Sequence, residues 1–117
     1  DVYIIRDQQG RFLMEKRPDA GLLANMWQFI MIERQADENS LTKVEKQYNV
    51  TLEHNSKETI LSFSHVFSHL KWHIDSYLVD AVETNANPEN TAYFTKEQIA
   101  NLPMPVPMLK IWGKINA

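Results

Sequence analysis

The chain contains no cysteine. That excludes a disulfide framework, a thiolate zinc site and an iron–sulfur cluster from this segment. It also fits a cytosolic location, which is the expectation taken here. No apolar run approaches the ~20 residues a membrane-spanning helix needs, so a membrane is not an expected partner. A basic leader is missing too: the start, Asp1-Val2-Tyr3-Ile4-Ile5, is already strand-like and has no initiator Met. No signal peptide is therefore read, and the expectation is a fragment cut at a domain boundary. Positive charge is in short supply, with 12 Lys and Arg against 15 Asp and Glu and a net charge of −3. A general nucleic-acid binder is ordinarily basic, so any such contact has to be local or supported by another part of the protein. Internal repeats and low-complexity segments are absent. One shortage is local: no acidic residue falls between Glu58 and Asp75.

What is present is enough for one globular domain. The length is 117 residues and the apolar fraction is 44%, which permits a core of useful size. Residues 2–5 form a β-branched and aromatic run and read as a strand. A turn at residues 7–10, with Gly10 free to take positive φ, leads to a returning strand over 11–17. Residues 22–26 are too apolar for an exposed loop and are expected to pack across this hairpin, and residues 27–32 read as a strand entering the core. Ser40 can cap a helix over 41–48, because Leu41, Val44 and Tyr48 fall on one face, and Asn49 can close it in a left-handed conformation. Short strands are expected at 50–52 and 59–63, a long one at 69–79, and a solvated loop at 82–90. Residues 92–94 read as a strand, Thr95-Lys96-Glu97-Gln98 as a capping box on a small helix, and Pro107 as the first residue of a last helix over 108–115. The order of elements gives an α/β (α+β) fold class: a mixed sheet flanked by helices, in a single domain.

The acid-free stretch is Phe63-Ser64-His65-Val66-Phe67-Ser68-His69-Leu70-Lys71-Trp72-His73. It holds three of the four histidines and repeats Phe-Ser-His four residues apart. It reads as a loop running into the strand at 69–79, with Leu70, Trp72, Ile74, Ser76 and Leu78 on one face and Lys71, His73, Asp75, Tyr77 and Val79 on the other. His65, His69 and His73 do not make a metal site, because along a strand they spread over roughly 25 Å. Trp27, Trp72 and Trp112 each sit among apolar neighbours and read as core. Lys16 and Arg17 end a strand and read as solvated surface within reach of a phosphate. By itself a Phe-Ser-His tripeptide is common, and a serine at the start of a strand is ordinarily a turn residue.

Three patches resemble the C-terminal domain of the A/G-specific adenine DNA glycosylase (MutY) family. The first is Leu13-Met14-Glu15-Lys16-Arg17-Pro18 followed by Gly21-Leu22-Leu23-Ala24-Asn25-Met26-Trp27-Gln28-Phe29. The second is His65-Val66-Phe67-Ser68-His69-Leu70-Lys71-Trp72, and the third is Leu102-Pro103-Met104-Pro105-Val106-Pro107 with Lys110-Ile111-Trp112. They lie in family order and span nearly the whole chain. The resemblance implies a Nudix-like (MutT-like) domain over residues 1–117 that recognises 8-oxoguanine opposite a misincorporated adenine. It implies that the adenine is removed by an N-terminal catalytic domain not contained in this chain, which carries the 4Fe-4S cluster. This segment itself would hold no cofactor and no metal. The implied partners are double-stranded DNA containing an 8-oxoguanine:adenine pair and the protein's own catalytic domain, in a monomeric, cytoplasmic bacterial protein that meets the nucleoid when acting. By resemblance Ser68 is the candidate for the hydrogen bond to the lesion. Phe67 and His69 flank it, and Lys71, with His69 and His73, is placed to meet phosphate. The second Phe-Ser-His copy is favoured because Leu70-Lys71-Trp72 follows it as in the family pattern.

Two other readings stay open. A Nudix pyrophosphohydrolase needs carboxylates clustered on a helix face to hold magnesium beside a diphosphate. Laid over the mid-chain helix, the signature's Arg falls on Thr42, the next Glu on Lys43, the Glu-Glu pair on Lys46-Gln47 and the Gly on Asn49. Met31-Ile32 stand where glycines are expected. Glu45 remains, and one carboxylate does not make that site, so the helix reads as structural. The third reading is a Nudix-like module that binds protein or a free nucleotide.

Overall fold

A mixed seven-stranded sheet forms the spine of the molecule, and helices cover both of its faces. The computed structural model describes residues 1–33, 39–67, 69–85 and 88–116. In chain order the elements are β1 (Val2–Arg6), β2 (Phe12–Lys16), β3 (Trp27–Gln28), β4 (Ile30–Met31), α1 (Ser40–Tyr48), β5 (Val50–Phe67), β6 (Leu70–Thr84), β7 (Thr91–Phe94), α2 (Lys96–Ile99) and α3 (Val106–Ile115). The strand order is β3-β2-β1-β6-β5, with β4 added to β1 and β7 to β2. β1 and β6 run parallel, from Val2 opposite Ser76 to Arg6 opposite Asp80.

β1 is the central strand, and its alternation builds both cores. Val2 and Ile4 enter the layer under α2 and α3, with Phe12, Phe29, Ile99, Met108, Ile111 and Trp112. Tyr3 and Ile5 enter the layer under α1, with Leu41, Val44 and Tyr48. All three tryptophans belong to the first layer: Trp112 is buried, and Trp27 and Trp72 pack against it half-buried. Thr95 and Gln98 form the expected capping box of α2.

Several boundaries differ from the sequence reading, each for a physical reason. The cap of α1 is Asn39, whose side-chain oxygen accepts the Leu41 N–H at 3.0 Å. Both residue types cap well, and Ser40 becomes the first helical residue. Asn49 does end the helix at φ 56°. Pro107 is the second residue of α3, a position that also lacks an intrahelical acceptor. The run 27–32 splits in two, because residues 27–28 pair with β2 and residues 30–31 with β1. The strands expected at 50–52 and 59–63 are one strand, β5, which extends through the first Phe-Ser-His copy as far as Phe67. Its polar middle is accommodated by register shifts between Thr51 and Leu52, Glu53 and Glu58, and Thr59 and Leu61. Likewise β6 runs on to Thr84, because Val50 and Thr51 supply ladder partners for residues whose side chains are solvated. Backbone pairing needs no buried side chain there, so local polarity misleads.

Candidate functional site

The acid-free stretch folds into a two-stranded arm. β1 meets β6 only from Ser76 onward, so residues 70–75 of β6 pair, among the described residues, with β5 alone. The register sets Phe63 opposite Ile74, Ser64 opposite His73, His65 opposite Trp72, Val66 opposite Lys71 and Phe67 opposite Leu70. Residues 68 and 69 lie between the two strands in the sequence. Ser68, the proposed lesion contact, lies outside the described residues, and His69 is exposed in the turn.

Strand alternation gives the arm two unlike faces. On one, His65 and Phe67 are 4.4 Å apart between ring centroids, and Phe67 meets the edge of Trp72 at 4.8 Å. Arg17 lies over the Trp72 ring at 5.8 Å and Lys110 over Phe63 at 4.9 Å. Arg17 is fixed by two further bonds: its Nε donates to the Leu22 carbonyl at 3.1 Å and its Nη1 to Gln28 Oε1 at 2.8 Å. It therefore ties the end of β2, the following loop and the arm together, where the sequence suggested solvated surface. The opposite face carries Ser62 hydrogen-bonded to Asp75, and Ser64 3.3 Å from His73 Nδ1. Lys71 and Val66 complete this face, and both are exposed.

The structure thus places Phe67 and His69 at the tip of the arm and puts Lys71 on the face opposite Phe67. His65, Trp72 and Arg17 join the tip, a role the sequence reading gave to none of them. Their signal was the shared parity of residues 63, 65 and 67, legible only once the cross-strand register is known.

A second place where chemistry was weighed is α1. Thr42, Lys46 and Gln47 are exposed, and Lys43 is half-buried. Glu45 is spent on structure: one oxygen accepts the Leu52 N–H at 2.9 Å, and the other is 2.9 Å from His54 Nε2. Burial pushes this carboxyl up, but the Leu52 N–H and His54 outweigh it and hold it below the usual value. Tyr48 donates to Glu15 Oε1 at 3.0 Å; burial and the adjacent Glu15 charge push its phenol well up. No group of three His, Asp or Glu side chains is arranged to hold a metal among the described residues.

The Glu45 tether makes a pH prediction. A depressed carboxyl contributes stability that is present above its unfolded value, 4.5, and is lost as pH falls through the lower folded value. Glu45→Gln should cost about 1 kcal/mol at neutral pH, and the gap from the parent chain should close on acidification below that range. Urea unfolding at both pH values measures it. A gap that is the same at both would remove the tether as its cause.

This arrangement, a mixed sheet between helices with a mid-chain helix feeding the long antiparallel pair, is that of the Nudix fold. The chain belongs to the Nudix family: the family described as "NUDIX domain" matches residues 1–114. The C-terminal domain of mouse MUTYH, solved in complex with human PCNA, superposes with a TM-score of 0.74 at 18% identity, covering 98% of this chain and 84% of that one. A Nudix hydrolase from Nitrosomonas europaea gives 0.73 at 8% identity, covering 98% and 85%. The E. coli ORF135 protein gives 0.68 at 20%, covering 99% and 88%. At such identities the likeness speaks to fold, which a MUTYH domain and a hydrolase share.

Proposed function

We propose that this chain is the lesion-recognition domain of a MutY-type adenine DNA glycosylase. It reads 8-oxoguanine opposite a mispaired adenine that a separate catalytic domain excises, and it performs no hydrolysis itself. The observation that carries the reading is helix α1. It keeps the apolar face that packs a Nudix domain, while Lys43, Lys46 and Gln47 stand where a hydrolase places metal-binding carboxylates. Glu45 is already engaged by Leu52 and His54. The three sequence patches shared with the MutY family, and the braced aromatic tip that one of them forms, support the same reading. In it, Ser68 bonds to the lesion, Phe67 and His69 position the tip against the base stack, and Lys71 on the other face meets phosphate, which orients without reading sequence.

The test joins the chain to the catalytic domain and compares adenine removal opposite 8-oxoguanine and opposite guanine. The native protein is set against one carrying Phe67→Ala and Ser68→Ala. The rival reading, a nucleotide pyrophosphohydrolase, is addressed by incubating the chain with nucleoside triphosphates and magnesium. Phosphate or pyrophosphate release is expected to stay at the buffer rate. Release that EDTA abolishes would restore the hydrolase reading.

A further inference from the structure

We propose that the groove between the β1–β2 turn, β5 and the start of α2 and end of α3 is an anion site for a phosphate group. It is distinct from the arm and from helix α1. The groove has a volume of about 530 Å³, and Arg6, Gly10, Glu58, Thr59, Lys96 and Lys114 are among its lining residues. Its cations come from three places remote in sequence: the end of β1, the start of α2 and the last turn of α3. Two of them, Arg6 and Lys114, have a local explanation. Arg6 pairs with Asp80 through Nε at 2.8 Å, and a cation near the C-terminus of α3 suits the helix dipole. Neither explanation brings them to one groove, in a chain whose acids outnumber its bases.

The donors are unspent. Arg6 is oriented by Asp80 through Nε alone, which leaves its terminal nitrogens for a second acceptor. Lys96 and Lys114 have no acidic partner among the described residues. Among the described lining residues the carboxylate is Glu58, and Asp80, outside the lining, holds Arg6 from the other side. Phosphate fits this set better than a carboxylate ligand does. It offers enough oxygens to take two ammonium groups and part of a guanidinium at once, the charge-assisted contacts that are strongest. The Thr59 hydroxyl adds a neutral donor. Gly10, at φ 79° with open space where a Cβ would project, leaves the rim low on that side. The groove is remote from the arm's tip: Phe67 lies seven residue steps beyond Ile60 along β5, roughly 23 Å of strand.

The test is a titration of the ¹⁵N-labelled chain with pyrophosphate, followed by amide shifts, with Lys96→Gln/Lys114→Gln and Phe67→Ala as variants. Saturable shifts at Gly10, Thr59 and Lys96 are expected. Loss of the two lysines should weaken binding about tenfold or more, and Phe67→Ala should leave it unchanged. A duplex oligonucleotide, titrated separately, distinguishes the sources: shifts at the same amides with duplex identify a nucleic-acid backbone phosphate, and shifts with pyrophosphate alone identify a free one. No saturable shift with either probe, or equal affinity in the double-lysine variant, overturns the site. Because lesion discrimination is read separately through Phe67 and Ser68, either result can fail without the other.

Discussion

Replacing Trp112 by alanine should remove about 3–5 kcal/mol of unfolding free energy. Trp112 is 8% exposed. Its ring meets the edge of Phe12 at 5.2 Å and lies 6.2 Å from Phe29. Those partners sit on β2 and between β3 and β4, so one side chain on α3 closes a layer built from distant parts of the chain. Truncation leaves a cavity that Phe12 and Phe29, both almost wholly buried, have no free volume to fill. For a domain whose total stability is of order 5–15 kcal/mol, the loss is a large fraction, and the variant's unfolding midpoint should fall sharply. Leu109→Ala is the control. It lies on the same helix but is 49% exposed, and its cost should stay near ~0.5 kcal/mol. Urea unfolding of both variants decides the matter. Equal costs would mean that α3 does not dock through Trp112.

The second large effect is on selectivity. 8-Oxoguanine differs from guanine at two atoms: N7 becomes a donor and C8 gains a carbonyl acceptor. A serine hydroxyl can accept the new proton, and a site built around it leaves a group unpaired when guanine is present, at a cost of about 1–3 kcal/mol. That corresponds to a preference of roughly five- to 150-fold. On the proposed reading, removing Ser68 deletes the hydrogen bond to the lesion, and removing Phe67 takes out the ring that meets His65 and Trp72. Together they should abolish most of the preference for adenine opposite 8-oxoguanine. Lys71→Ala, altering the opposite face, should weaken binding to both duplexes alike and leave the ratio intact. Salt must be equal throughout, since phosphate contacts make affinity salt-dependent. A ratio that survives the Phe67 and Ser68 changes would refute the site.

The features legible in the sequence are those fixed by neighbours along the chain. The faces of β6, the buried stripe Leu41, Val44 and Tyr48, the left-handed Asn49 and the Thr95–Gln98 box each depend on residues within one or two turns of one another. What was not legible depends on register. That Arg17 stacks on Trp72 depends on the pairing of β2 with β3 and on contact with the arm, residues far apart in sequence. That Glu45 tethers Leu52 and His54 follows from how β5 leaves the helix. The length of β5 was hidden because bulged, polar residues look like a break when burial is the only signal. At the candidate site, the residue types were visible, but their division between two faces was not: Phe67 and Lys71 were given different roles with no sign that they stand on opposite faces of the arm.

That division has a further meaning. Consecutive residues of the arm belong to different surfaces, with Phe63, His65 and Phe67 on one and Ser62, Ser64 and Val66 on the other. A single substitution therefore changes one surface and leaves its neighbour's chemistry in place. If the arm is the recognition element proposed above, how tightly it holds a partner and which partner it prefers are inherited on alternate residues of one short ribbon, so the two properties can drift independently while the backbone that carries them stays the same.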